Sequence, residues 1–397
     1  MKEMKLPFTA VLMPEDYGPV IRCMIISWKE PEELEWLEHY RFPGELLSQI
    51  RSDEYGHPDP MGMYYTIFPV NGPEIEWTKA FQWIEKTEKK VYRDLSLKGL
   101  ECKRVVCPAA DRFIKRRAYT KLKGADGRQL SLKYRDYLPE KYRDRKGVRG
   151  VLKGTMPLII WLHGAGEGGK DPSIALLGNR VTALAEETVQ MYFPETGAGV
   201  LVPQCPTMWM DVDGKAHYNV AKLSSDGASY YTAALAELIR RYIKYHPEVD
   251  RSRIYIGGCS NGGYMTIKMI LEMPELFAAA FPCCMAYHAA WMTPERIRTL
   301  AKVPMWLTAA ANDETVPLIS ETGEPAYSDA LVEKLRAVSA EVIYSRLPQV
   351  LGFTSTGLPY EYFGHWSWIP LLQDQITKEF DGEEIHLYEW LASKHKA

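Results

Sequence analysis

Arg253-Ile254-Tyr255-Ile256-Gly257-Gly258-Cys259-Ser260-Asn261-Gly262-Gly263-Tyr264 is the stretch on which the fold turns. A short apolar run reads as a strand, and the apolar segment from Tyr264 to Leu271 reads as a helix. Between them Gly258-Cys259-Ser260-Asn261-Gly262 makes a sharp turn with a serine at its apex. Glycines flank the serine because a Cβ at either position would collide with neighbouring backbone. Such an elbow lifts the Ser260 hydroxyl clear of a sheet, where a base and a substrate carbonyl can both reach it. A Gly-x-Ser-x-Gly match alone also describes an inert glycine-rich loop. The reading therefore depends on what stands upstream and downstream.

Upstream, Pro157-Leu158-Ile159-Ile160-Trp161-Leu162 is a continuous apolar run, as expected of a strand buried on both faces. His163-Gly164-Ala165-Gly166-Glu167-Gly168-Gly169 follows it directly. A glycine-rich loop at the carboxyl end of a strand can turn backbone N–H groups toward a substrate oxygen. The N–H groups of Ala165 and Asn261 are the expected oxyanion donors. A phosphate-binding loop is the competing reading. It lacks the Gly-Lys-Ser/Thr ending, and Glu167 would repel phosphate.

Downstream, Val303 to Ala310 reads as a further buried strand, ending in Asn312-Asp313-Glu314-Thr315-Val316-Pro317. Asp313 stands where strand becomes loop and would orient a histidine. Its other ordinary role is capping the turn that follows, and Glu314 is the alternative acid. Of the nine histidines, His39 and His57 lie in the N-terminal region, and His246, His386 and His395 sit in helix or tail contexts. His163 belongs to the glycine-rich loop and reads as structural. His365, in Phe363-Gly364-His365-Trp366-Ser367-Trp368, follows the last predicted strand. The order Ser260, Asp313, His365 is that of a serine-hydrolase triad.

Around these motifs strands and helices alternate. Gly199–Pro203, Leu276–Met285 and Ala340–Leu347 read as strands. Residues 174–191, Ser225–Tyr245, Tyr327–Ser339 and the terminal 374–393 read as helical. The pattern predicts an α/β fold with a mostly parallel, doubly wound sheet. Arg117–Leu122 and Gln129–Leu138 flank a glycine-containing turn and read as an antiparallel hairpin at the edge of that sheet. Residues 1–112 differ. Phe8–Met13, Val20–Trp28 and Met63–Val70 look like strands, with Leu95–Val106 able to supply more. Charged, Trp-rich segments at 30–40 and 74–90 look helical or looped. A β-rich accessory domain over 1–112 and a catalytic domain over 113–397 are expected.

The quoted motifs, together with Asp171 and Pro203-Gln204-Cys205-Pro206, resemble the esterase and predicted-peptidase branch of the α/β-hydrolase superfamily. That branch borders the polyhydroxybutyrate-depolymerase-like, feruloyl-esterase and prolyl-oligopeptidase families. The resemblance covers roughly residues 117–397. It implies a serine hydrolase that forms an acyl-enzyme, and an immunoglobulin-like character for the N-terminal domain. One departure is Gly168, where relatives often carry Arg.

The chemistry calls for no metal or organic cofactor. Trp209, Tyr362, Trp366 and Trp368, with Gly164 and Glu167, are the candidate substrate-binding residues. Aromatic walls suit aromatic-acyl or sugar-linked esters such as feruloyl or acetyl esters, although the same rings would also pack the end of a sheet. The segment 351–362 shows no periodicity and reads as a rim of the pocket. A peptidase acting on short peptides and a non-catalytic binding protein with a vestigial site are the alternatives.

Composition narrows the partners. The chain has 397 residues, 46% hydrophobic and 25% charged, with a formal net charge of −3. That balance gives no reason to expect nucleic acid. The basic stretches at 115–123 and 141–153 are interrupted by acidic and apolar positions and read as solvated faces. No apolar run approaches the ~20 residues that span a bilayer. The segment Met1–Met13 lacks the apolar core and cleavage site of a secretory leader. The seven cysteines show no metal-like spacing and read as buried thiols in a reducing cytoplasm. A secreted form whose leader has been removed stays open, as does a homo-oligomer. The expected partner is a small-molecule or oligosaccharide ester.

Overall fold

The computed structural model describes residues 5–123, 127, 129–143, 153–216 and 227–396. The chain forms two compact units. The first comprises Met1–Arg112 with Leu177–Arg180 and Leu351–Glu361. Its strands are β1 (Leu6–Glu15), β2 (Gly18–Ser27), β3 (Leu46–Ser52), β4 (Tyr64–Pro69), β5 (Phe81–Ile84), β6 (Lys89–Tyr92) and β7 (Leu100–Val106). A five-stranded sheet runs in the order β3-β4-β2-β1-β7, and β5 pairs with β6 separately. The β1–β7 pairing is parallel and the other contacts in the larger sheet are antiparallel. Alternate residues of β1, including Leu6, Phe8, Ala10 and Leu12, are buried. That period of two marks a half-buried strand. Helices α1 (Pro31–Glu38) and α2 (Pro108–Asp111) complete this part. The stretch 74–90 contains β5 and the start of β6, where the sequence suggested helix or loop.

The second unit holds an eight-stranded sheet. Its strands are β8 (Ile114–Lys123), β9 (Gln129–Tyr137), β10 (Met156–Leu162), β11 (Gly199–Gln204), β12 (Val249–Cys259), β13 (Ala279–Cys283), β14 (Met305–Ala310) and β15 (Val342–Leu347). They run in the order β15-β14-β13-β12-β10-β11-β9-β8. From β15 to β11 every pairing is parallel. The β8–β9 hairpin adds the antiparallel edge beside β11. Its turn and most of the basic stretch at 141–153 lie outside the described residues. Every residue of β10, β11 and β14 is buried, as the unbroken apolar runs require of central parallel strands.

The helices of this unit are α3 (Pro172–Leu177), α4 (Glu187–Gln190), α5 (Thr232–Tyr245), α6 (Asn261–Glu272), α7 (Pro294–Leu300), α8 (Tyr327–Ala337), α9 (Trp368–Leu372) and α10 (Leu387–Ser393). On α5 the residues Leu235, Leu238, Ile239 and Tyr242 recur at helical spacing and are buried, which fixes the face turned to the core. The predicted start of that helix, near Ser225, lies outside the described residues. Among the described residues no helix is long and apolar enough to cross a membrane.

Three further segments depart from the sequence reading. The helix expected over 174–191 is α3, a 3-10 turn at Val181–Ala185 and α4. Arg180, with φ of 54°, ends any regular turn between them. The terminal region expected to be helical begins as a hairpin of β18 (Thr377–Phe380) and β19 (Glu383–His386) before α10. Asp381 and Gly382 at its tip have φ of 52° and 85°, the pair of positive values that an Asp-Gly hairpin turn needs. The aperiodic segment before His365 is also a two-stranded hairpin, β16 (Val350–Phe353) with β17 (Pro359–Tyr362).

The strand order places the site. From β10 the chain goes to β11 on one side, then returns to β12 on the other. The carboxyl ends of β10 and β12 therefore flank a topological switch point, where open parallel sheets leave a crevice.

Candidate active site

Ser260 stands between β12 and α6 with φ of 55° and ψ of −116°. Few L-residues adopt this conformation, and it costs of order 1–3 kcal/mol. Its surroundings hold it there. The Ser260 N–H donates to Cys283 O at 2.9 Å. Its carbonyl accepts from Tyr264 N at 2.9 Å and from Ala286 N at 3.1 Å. Gly262 lets α6 start against the end of β10: a Cβ there would lie 1.9 Å from Leu162 O. Ser260 is half-buried while Cys259 and Asn261 on either side are buried, so the apex residue alone of the three keeps appreciable access to solvent.

Asp313 follows β14 and is 3% exposed. Its two oxygens do different work. Oδ1 accepts from Thr315 N at 2.9 Å and Val316 N at 2.8 Å. Oδ2 lies 2.8 Å from His365 Nδ1. The turn-capping role and the histidine-orienting role are thus both filled by one side chain. Glu314 is exposed. With Nδ1–H committed to a carboxylate, the lone pair of His365 resides on Nε2.

His365 lies in the 3-10 turn Gly364–Trp366, just after β17. Gly364 lets that turn reach the end of β14: a Cβ would stand 2.3 Å from Asn312 O. The Trp368 ring meets the imidazole edge-on, centroids 5.7 Å apart, and Phe363 lies at 6.4 Å. Two residues on, Ser367 Oγ is 3.2 Å from Cys283 Sγ, both buried. Cys283 is the residue whose carbonyl holds Ser260 N–H, and Cys284 N–H donates to Thr308 O of β14 at 2.8 Å. Asp313 at the end of β14 thus holds His365 directly, while Ser260 at the end of β12 is tied to Cys283 of the intervening β13, which in turn meets Ser367 two residues from His365. Burial pushes the Cys284 thiol well above its ordinary range, and Cys283, Cys259 and Asp313 around it push the same way. That thiol stays protonated and weakly nucleophilic.

The loop after β10 turns through Ala165–Glu167 in a 3-10 conformation, with Gly168 N–H donating to Ala165 O at 3.2 Å. His163 is fully buried and structural. Its Nε2 accepts from Cys205 N at 3.0 Å, so its Nδ1–H faces Gly164 O, 2.6 Å away. Asn261 opens α6, and the first-turn amides of a helix have no partner within it.

The candidate substrate-binding residues divide. Trp209 is fully buried, its ring 5.2 Å from His163 and 6.5 Å from Tyr231. It is a core residue and offers no wall to a ligand, because the loop after Pro206 folds inward. Glu167, 3% exposed, is also enclosed, with its carboxylate folded back against Gly164. Trp368 is buried beside the base, and Tyr362, also buried, packs its ring 6.0 Å from that of Trp366. Trp366 is half-buried. Phe363, not among the candidates, is 47% exposed next to His365. Its position before Gly364 in the quoted motif was the available signal.

A parallel sheet with a strained serine elbow at its switch point is the α/β-hydrolase architecture, and this chain has it. The sequence profile of the phospholipase/carboxylesterase family matches residues 152–352, just over half of the chain. The chain belongs to that family and is a carboxylic-ester hydrolase. The matched stretch includes Ser260 and Asp313 and ends before His365. Over its full length the chain is similar to a thermostable esterase of known structure, with 22% identity, 100% of each chain covered and a TM-score of 0.67. A ferulic acid esterase from Anaeromyces mucronatus is similar at 16% identity over 66% of this chain and 89% of that one, with a TM-score of 0.43. An acylaminoacyl peptidase from Pyrococcus horikoshii is similar at 16% identity over 60% of this chain and 37% of that one, with a TM-score of 0.38. No curated protein matches the chain.

Proposed function

We propose that Ser260, His365 and Asp313 hydrolyse a carboxylic ester through an acyl-enzyme. The observation that carries this is the 2.8 Å bond from His365 Nδ1 to a buried carboxylate, set at the strand end two places from a strained serine. His365 Nε2 takes the proton of Ser260 Oγ as the oxygen attacks the ester carbonyl. The N–H groups of Ala165 and Asn261 hold the resulting oxyanion. The tetrahedral intermediate collapses, and His365 returns the proton to the leaving alcohol. Water, deprotonated by the same imidazole, then releases the acid and restores Ser260.

Phe363 and Trp366 beside the base suit an acyl or alcohol group with a flat apolar face. Aromatic-acyl and carbohydrate-linked esters have that character. Residues 1–112 and 113–397 are proposed as accessory and catalytic domains. The small second sheet of β5 and β6 beside the five-stranded one supports an immunoglobulin-like origin for the former. Buried Cys205, Cys259, Cys283 and Cys284 suit a reducing, cytoplasmic setting.

A fluorophosphonate probe should label Ser260, and Ser260→Ala should abolish both labelling and turnover with little change in thermal midpoint. Intact turnover in that variant would overturn the assignment. Turnover of p-nitrophenyl acetate and methyl ferulate should exceed that of a peptide anilide; the reverse ranking would make the protein a peptidase.

A further inference from the structure

The two expected oxyanion donors belong to different loops. Ala165 follows β10 and Asn261 follows β12. Their separation must be held to a fraction of an ångström if both are to meet one oxygen. The last residue of β11 and the segment after it touch both loops. At the start of this stretch the buried Gln204 donates from Nε2 to Glu167 O at 3.0 Å and to Asp171 O at 2.8 Å. Cys205 donates from N to His163 Nε2 and accepts from Gly169 N at 2.9 Å. Those bonds tie it to the whole length of the Ala165 loop. At its other end the N–H groups of Trp209 and Met210 lie 2.6 Å and 3.3 Å from Oδ1 of Asn261. Two donors facing one atom fix which end of that amide is the oxygen. The buried Trp209 ring then anchors this end in the core.

We propose that Gln204–Met210 is a strut that sets the distance between the two oxyanion donors, with the side chains of Gln204 and Asn261 as its positioning residues. Asn261 thereby acts twice: its backbone N–H meets the oxyanion, and its side chain ties that N–H to the loop bearing the other donor. The inference rests on the oxyanion roles proposed above. It concerns side-chain bonds that leave both donor N–H groups in place when they are removed.

The test compares Asn261→Ala, Gln204→Met and the double variant with the wild-type enzyme on p-nitrophenyl acetate. Inhibition by a trifluoromethyl ketone, which forms a tetrahedral oxyanion adduct, is measured alongside. Each single variant should lose about 10- to 100-fold in kcat, keep KM within about threefold, and weaken the ketone in parallel. The double variant should lose little more than the worse single one, because one strut is broken only once. A folded Asn261→Ala enzyme with kcat near wild type would overturn the proposal. So would losses confined to KM, or losses that multiply in the double variant. If Asn261→Ala does not fold, Gln204→Met carries the same test, and failure of both to fold would assign these side chains to the core alone. Absence of probe labelling in the wild-type enzyme would instead sink the underlying hydrolase mechanism. Normal labelling with unaffected variants would sink only the strut.

Discussion

The backbone of Ser260 is where function and stability part company. Its φ of 55° is imposed by bonds to Cys283, Ala286 and Tyr264 rather than chosen by the residue. Glycine adopts that region without a Cβ penalty. Ser260→Gly should therefore raise stability by about 1 kcal/mol, after allowance for the greater freedom of glycine in the unfolded chain. It should also lack all activity. Chemical denaturation of the Gly and Ala variants side by side measures the difference, and equal midpoints would mean that the elbow is not strained. At this scale the sequence was informative where chain order constrained it. Ser260, Asp313 and His365 stand out in the sequence because each follows a predicted strand in a fixed succession, and the 2.8 Å contact of His365 with Asp313 joins two of them. Trp209 could not be placed, because a tryptophan in a loop reads alike whether it faces ligand or core. The side-chain role of Asn261 was equally hidden, since its partners are backbone N–H groups 52 and 51 residues away.

Among the elements, the short turn bearing His365 depends on one missing methyl group. Gly364 faces Asn312 O, the residue before Asp313, with no room for a Cβ. Gly364→Ala should push the imidazole away from its carboxylate. The expected result is a fall in kcat of more than tenfold with a loss of about 1–3 kcal/mol in stability. Steady-state kinetics and thermal unfolding report the two effects, and an unchanged kcat would show that the turn adjusts freely. Central strands were legible because burial on both faces writes an unbroken apolar run, as in β10 and β14. The terminal hairpin was not, because β18 and β19 are largely exposed and carry charged residues that would also suit a helix. Asp381-Gly382 was the overlooked sign. The stretch over 174–191 failed for a related reason: helical spacing of apolar residues persists across it, while Arg180 turns the chain out of any helix.

For the whole molecule, the linear boundary near residue 112 divides less cleanly than the sequence suggested. The first unit also takes in Leu177–Arg180 and Leu351–Glu361. Lys90 Nζ bonds Gly178 O at 2.8 Å and Asn179 Oδ1 at 2.9 Å, and Arg180 pairs with Asp16 at 3.2 Å. The Ser355 N–H donates to Glu74 Oε1 at 2.8 Å. No pattern within 1–112 announces these distant partners, so composition alone could not reveal them. A fragment of residues 113–397 would keep both segments and lose Lys90, Asp16 and Glu74. It should unfold at a lower temperature than the full chain and bind more of a hydrophobic dye. A fragment with an unchanged midpoint would contradict this. The same interleaving sets an order of events at the ribosome. The unit that contains residues 1–112 lacks two of its pieces until residue 361 has emerged, a delay of roughly 10–50 s after residue 112 at common elongation rates. Residues 1–112 are thus made well before the pieces that complete their unit, and they must wait with unfilled surfaces while those pieces are synthesised.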